Sequence, residues 1–175
     1  MKKKLRTIFV LALTVLFLDH LTKWFIVREI PMGVEIPIIN GFFDIVHGRN
    51  TGAAFGFLSS WHSPLKNWFF YGVGVVALFF LYHFTRSLKD EDKFSLTAVG
   101  LVLGGALGNI IDRVVRGSVV DFLSFHYHNA VWTPALFGTH FNVPLTWPAF
   151  NVADSAITVA VCLLLWQNLK GVPKN

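Results

Sequence analysis

Disulfide bridges are the first thing this chain lacks. Cys162 is the sole cysteine, so no intrachain framework can staple the fold, and the residue is expected as a small buried side chain within an apolar helix. Charge is scarce too. Only 14% of the 175 residues are Asp, Glu, Lys or Arg, while 54% are hydrophobic; that balance excludes an ordinary soluble domain and leaves a small membrane protein, a single domain over 1–175. No repeat relates the two halves of the chain, which counts against carriers built from repeats around a midplane site. Nor does a small-x-small cleavage pattern follow the first apolar run, so that run reads as a retained helix rather than a removed signal.

What charge there is has a pattern. The formal balance is +5, but the positions argue against nucleic acid. Lys2, Lys3, Lys4 and Arg6 precede the first apolar run, Arg86, Lys89 and Lys93 fill the gap after the second, and Lys170 and Lys174 follow the last. These are alternate loops, so both termini and the 86–93 loop are expected in the cytoplasm and the other two loops outside. A span needs about 20 mostly apolar residues, and four stretches qualify: 5–27, 65–85, 94–111 and 151–169. The fold class expected is a mainly α membrane protein, with Trp24, Trp61, Trp68 and Trp166 in interfacial belts.

Between the first two spans, residues 28–64 are richer in Pro and Gly. Stretches 34–39 and 42–46 read as short strands around Asn40-Gly41, a small sheet leading into Asn50-Thr-Gly-Ala-Ala-Phe-Gly56, whose small residues allow close backbone approach. The second span carries no charge and reads as scaffold. In the third, Gly100, Gly104 and Gly108 form a small-xxx-small packing face, followed by Asn109, Asp112 and Arg113. Arg113 has three readings: a pair with Asp112, a pair with a carboxylate elsewhere, or stabilisation of the helix C-terminus. The 114–150 loop begins with Asp121 and then carries His126, His128 and His140 among aromatics and prolines; no third ligand of zinc-site spacing is evident, and no metal is expected. Asn151 suits an N-cap, with Asp154 in the first turn of the fourth span, where the dipole favours negative charge.

Threading the spans in alternating directions puts these polar residues at one depth. Asp19 and Lys23, four apart on the first helix, fall in its outer part and can partly neutralise each other; Asn109 to Arg113 end the third helix, Asp121 follows, and Asp154 starts the fourth. Ionisable groups in a membrane helix are costly and mark function. Two aspartates meeting there would share a proton, one activating water and the other polarising a carbonyl, as in aspartic peptide hydrolysis. Four acids are eligible, and spacing alone does not choose between them. Lys23 and Arg113 would hold Asp19 and Asp112 as structural groups, leaving Asp121 and Asp154, although Arg116 is similarly close to Asp121.

Five blocks now carry a resemblance. Asp19-His-Leu-Thr-Lys23, Asn50-Thr-Gly-Ala-Ala-Phe-Gly56, Gly104-Gly-Ala-Leu-Gly-Asn-Ile-Ile-Asp-Arg113, Val119-Val-Asp-Phe122 and Phe150-Asn-Val-Ala-Asp-Ser-Ala-Ile157 resemble, in this order, the signature blocks of the bacterial lipoprotein signal peptidase (signal peptidase II) family. The resemblance implies four transmembrane helices with a small extracytoplasmic β-sheet and short helix, the latter two within 28–64. It implies an aspartic endopeptidase of the bacterial cytoplasmic membrane, active on the extracytoplasmic side, which cuts diacylglyceryl-modified prolipoproteins before the lipidated cysteine. Asp121 and Asp154 match the catalytic dyad. Asn50, Gly52, Gly105, Asn109, Asp112, Arg113, Asn151 and Ala153 match residues that order the site or contact substrate, and Asp19 with Lys23 match a supporting pair. No metal or organic cofactor and no nucleic acid is implied; the partners are precursor, membrane lipid and the cyclic peptide inhibitor globomycin, acting on a monomer. One departure stands out: the segment between the two aspartates, especially 128–146, is longer than usual for the family, and a longer loop there would cover the site, contact lipid or alter substrate choice. Two other classes, an ion-coupled carrier relaying protons through Asp19, Asp112 and Asp154 and a non-catalytic membrane scaffold, are separated from the peptidase by an assay with a diacylglyceryl-modified precursor.

Overall fold

The computed structural model describes residues 2–52, 65–136, 139–140 and 142–170. The elements run α1 (Lys2–Glu29), β1 (Glu35–Ile39), β2 (Phe43–Asn50), α2 (Leu65–Ser87), α3 (Lys93–Arg116), β3 (Val119–Trp132), β4 (Ala135–Leu136), β5 (Thr139–His140), β6 (Val143–Phe150) and α4 (Val152–Leu169). All four helices are long and apolar enough to cross a membrane. Apolar side chains such as Phe17, Phe80 and Leu165 are exposed along them, the reverse of a water-facing surface and the pattern lipid selects. The chain divides into two compact units.

The helical unit holds α1 as far as Thr22, together with α2, α3 and α4. Its packing is set by glycine where two backbones nearly touch. A Cβ on Gly104 would lie 2.6 Å from the Ala12 carbonyl oxygen, and one on Gly105 would lie 2.5 Å from that of Ala153. Neighbouring glycines of α3 thus face different helices: Gly100 and Gly104 of the expected small-residue face meet α1, and Gly105, outside that pattern, meets α4. Helix α3 outruns the expected 94–111 at its C-terminal end. Asp92 caps its start by accepting the Ser95 N–H at 3.0 Å, and Gly117, at φ 72°, ends it in the left-handed cap that sends its own N–H to the Arg113 carbonyl. At the far end of α4, Gln167 donates to the Asp92 carboxylate at 3.1 Å and accepts from the Ser95 hydroxyl at 3.1 Å. Lys4 donates to the Thr85 and Leu88 carbonyls, satisfying acceptors that the end of α2 leaves open.

The second unit takes the last turns of α1, from Lys23, and a four-stranded sheet of order β1-β2-β3-β6. Helix α1 stops before Pro31, since the residue preceding proline is pushed out of helical geometry. The β1–β2 turn forms at Asn40-Gly41, with Gly41 at φ 76° and the Phe42 N–H bonded to the Ile39 carbonyl. Within the four-stranded sheet, the described prolines lie on the two edge strands, Pro37 in β1 and Pro144 and Pro148 in β6, where a missing N–H costs no ladder bond.

Two expectations change, and a third is not reached. Residues 114–150, read as a loop, are the end of α3 followed by an antiparallel β3–β6 arm with the small β4–β5 hairpin beyond it. The alternation of aromatic and β-branched residues from Val119 on favours strand, and the prolines that masked this are edge residues. Cys162, expected to be buried, is exposed on α4, an apolar thiol facing what would be lipid. Among the described residues of 28–64 no short helix follows α1, and 53–64, with Trp61, lie outside the described residues.

Candidate active site

In the sheet unit, the residues expected at the site gather on Asp121, the third residue of β3 and 4% exposed. Its Oδ2 accepts from the Asn50 amide at 3.0 Å and its Oδ1 from the Asn151 amide at 2.7 Å. The same Asn151 nitrogen reaches the Val120 carbonyl at 3.3 Å, and the Asn50 oxygen accepts the Gly52 N–H at 2.9 Å. Each asparagine is therefore anchored at a second point, so the carboxylate is held at both oxygens by donors that cannot swing away. A carboxylate so fixed is oriented before any substrate arrives. The backbone leaves little room around it: a Cβ on Gly48 would sit 3.2 Å from the Asp121 carbonyl oxygen. Lys23, on the α1 turn of this unit, is fully buried.

The helical unit gathers a second group on α1, α3 and the start of α4. Asp154, in the first turn of α4, accepts from the Asn109 amide of α3 at 2.8 Å. Asp19 is fully buried, and its Oδ1 accepts the Ala153 N–H at 2.9 Å. The first turn of α4 thus receives an acceptor from another helix, in addition to whatever Asn151 supplies as its preceding residue. Gly108 makes this possible, since a Cβ there would lie 2.6 Å from the Asp19 Oδ2.

Behind Asn109, Arg113 holds the asparagine's backbone and packs on an aromatic ring. Its guanidinium donates to the Asn109 carbonyl at 3.3 Å and lies 4.7 Å from the centre of the Phe70 ring, while the Tyr71 hydroxyl donates to the Arg113 carbonyl at 3.2 Å. Asp112 is fully buried, and its ion pair is with Arg116, one turn on. Arg116 thus serves Asp112. The i, i+4 spacing was the signal for that pair; nothing in the sequence signalled Gly48, Phe70 or Tyr71. Covalently, Val152 alone separates Asn151 of the first group from Ala153 of the second.

A sequence model described as signal peptidase (SPase) II matches residues 11–170, a span that includes both groups. The chain belongs to the signal peptidase II family. Among curated relatives it is 42% identical to the lipoprotein signal peptidase of Azoarcus sp. (strain BH72), covering 92% of this chain and 81% of that one. It is 40% identical to the lipoprotein signal peptidase of Nitratidesulfovibrio vulgaris (strain DP4), covering 91% and 87%. Two solved bacterial membrane enzymes share the fold: one at TM-score 0.74 and 34% identity, covering 94% of this chain and 88% of that one, the other at 0.72 and 31%, covering 94% and 93%. Membership makes this signal peptidase II family chain a peptidase with four helices suited to a membrane.

Proposed function

We propose that the protein is an aspartic endopeptidase that removes the signal peptide from diacylglyceryl-modified prolipoproteins, cutting before the lipidated cysteine at the outer face of the bacterial cytoplasmic membrane. Asp121 and Asp154 are the catalytic dyad. The observation that carries this reading is that each of these two acids is held by an asparagine amide, Asp121 by Asn50 and Asn151 and Asp154 by Asn109, in a chain of the signal peptidase II family. The printed names of the relatives support the lipoprotein substrate.

In the proposed reaction the dyad shares one proton. The ionised aspartate takes a proton from water, and the resulting hydroxide adds to the scissile carbonyl carbon, whose oxygen is polarised by the protonated partner. Collapse of the tetrahedral adduct breaks the C–N bond, and the departing amine takes a proton from the dyad. General acid–base assistance of this kind is worth about 10²–10⁴-fold at each step, so the dyad supplies most of its advantage by being pre-aligned. Asn50, Asn109 and Asn151 provide that alignment, with Arg113 setting Asn109, and Asp19 sets the first turn of α4. The protein acts as a monomer, without metal or organic cofactor, and the cyclic peptide globomycin is its expected inhibitor.

The test is cleavage of one precursor by purified protein in lipid, with and without the diacylglyceryl group. Asp121→Asn and Asp154→Asn should each abolish cleavage while leaving the helical circular dichroism and melting temperature close to wild type. Full activity in either variant removes that residue from the dyad, and equal cleavage of the unlipidated precursor overturns the substrate assignment.

A further inference from the structure

We propose that the β3–β6 arm is a membrane-seated foot, with one face of its ribbon resting on the lipid surface beside the spans. The register assigns the faces. Trp132 pairs with Val143 and Phe125 with Trp147; partners in an antiparallel pair share a face, and residues two apart along β6 share it as well. Trp132, Val143, Leu145, Trp147 and Phe125 therefore lie on one side, and the four outer ones are exposed, the two indoles by 60% and 59%. No charged residue interrupts them.

This side continues across the sheet. The Phe125 ring stacks on Phe43 at 4.6 Å and on Phe150 at 5.8 Å, and Ile39, paired with Phe43, is exposed beside them. The opposite face carries Val131 paired with Pro144 farther out and is polar toward the root. There Asp44 and His126 pair at 2.9 Å and, with Glu35 and His128, line an open cavity of about 590 Å³. A sheet with one wet and one dry face needs something apolar against the dry one.

Lipid is the occupant that the connections favour. Strand β3 starts three residues beyond the end of α3, and β6 ends two residues before α4 starts, so both roots of the arm are fixed at span ends. The eight residues of β6, paired with a β3 that bulges between His126 and Val131, then reach about 25 Å along whatever surface the roots adjoin. Tryptophan is the side chain that settles at the headgroup level, its ring in apolar surroundings and its N–H in water. Pro144 and Pro148 blunt the outer edge of β6 against pairing with a strand of a second copy. The inference rests on the four spans and not on the proposed chemistry, so it stands or falls separately from the dyad.

The test uses full-length protein carrying Cys162→Ser, reconstituted into liposomes, with a nitroxide attached at one introduced cysteine at a time. Val143→Cys, Leu145→Cys and Trp147→Cys probe the apolar face; Pro144→Cys and Thr146→Cys probe the other. Collisions with a water-soluble nickel chelate should be lost at 143, 145 and 147, where oxygen collisions persist, and should be retained at 144 and 146. Nickel collisions at all five positions would place the arm in water and overturn the proposal. Exclusion of both reagents at 143, 145 and 147 would also overturn it, by showing a protein surface there. Because a label can itself disturb a strand, a second measurement uses native tryptophan: the emission that wild type has in excess of the Trp132→Tyr/Trp147→Tyr double variant should be quenched by brominated lipid, and an unquenched excess counts against the foot.

Discussion

At Asp121 a single carboxylate depends on two asparagines that arrive from opposite ends of the sheet unit, one closing β2 and one preceding α4. Neither donor is redundant, because each binds a different oxygen. Asn151→Ala removes the bond to Oδ1 and the link to the Val120 carbonyl, so the carboxylate is held less firmly. Misplacement on the scale of 1 Å costs about 10² in rate, and that is the fall in kcat expected, with KM for the precursor little changed; steady-state kinetics on the lipidated precursor checks it. A variant with unaltered kcat would show that Asn50 alone suffices. At this scale the sequence named candidate residues and was silent about their partners. Asn50, Asn109 and Asn151 stood in recognisable blocks, yet only folding pairs Asn109 with Asp154 and both others with Asp121, because those bonds join residues 45, 71 and 30 positions apart.

Among the elements, α3 is the one whose composition dictates its neighbours. Its glycines differ in what they permit. Gly104 lies against the backbone of α1 near Ala12, which cannot yield as a flexible side chain can, whereas nothing lies within 4 Å of a Cβ built on Gly72 of α2. Gly104→Ala should therefore force α1 and α3 apart at a cost of about 1–3 kcal/mol. Gly72→Ala should be neutral or gain up to about 1 kcal/mol from helix propensity. Thermal unfolding of both variants in one detergent separates them, and equal melting temperatures would refute the close approach. The helices were legible because a run of some 20 apolar residues has few alternatives. The arm was not, since Pro144 and Pro148 speak against strand unless the strand is an edge, and edge position is a property of the sheet rather than of the local sequence. The reassignment of Arg116 to Asp112 belongs to this scale as well: α3 runs past 111 to Arg116, and only that added turn brings the two onto one face.

For the molecule as a whole, the basic residues lie in alternate loops, and the orientation proposed from them is open to direct measurement. In a Cys162→Ser background, a membrane-impermeant thiol reagent added to spheroplasts should label Asn142→Cys of the arm. Lys89→Cys, between α2 and α3, should be labelled only after permeabilisation; the reverse pattern would invert the topology and with it the proposed side of cleavage. The division of the chain into a helical and a sheet unit was not foreseen, because composition marks the spans strongly and short strands weakly. The acceptor that Asp19 lends to Ala153 has a consequence for biogenesis. The turn of α4 that bears Asp154 leans on a residue of α1 placed 134 positions before its partner, so the two helices have to meet before that turn is settled.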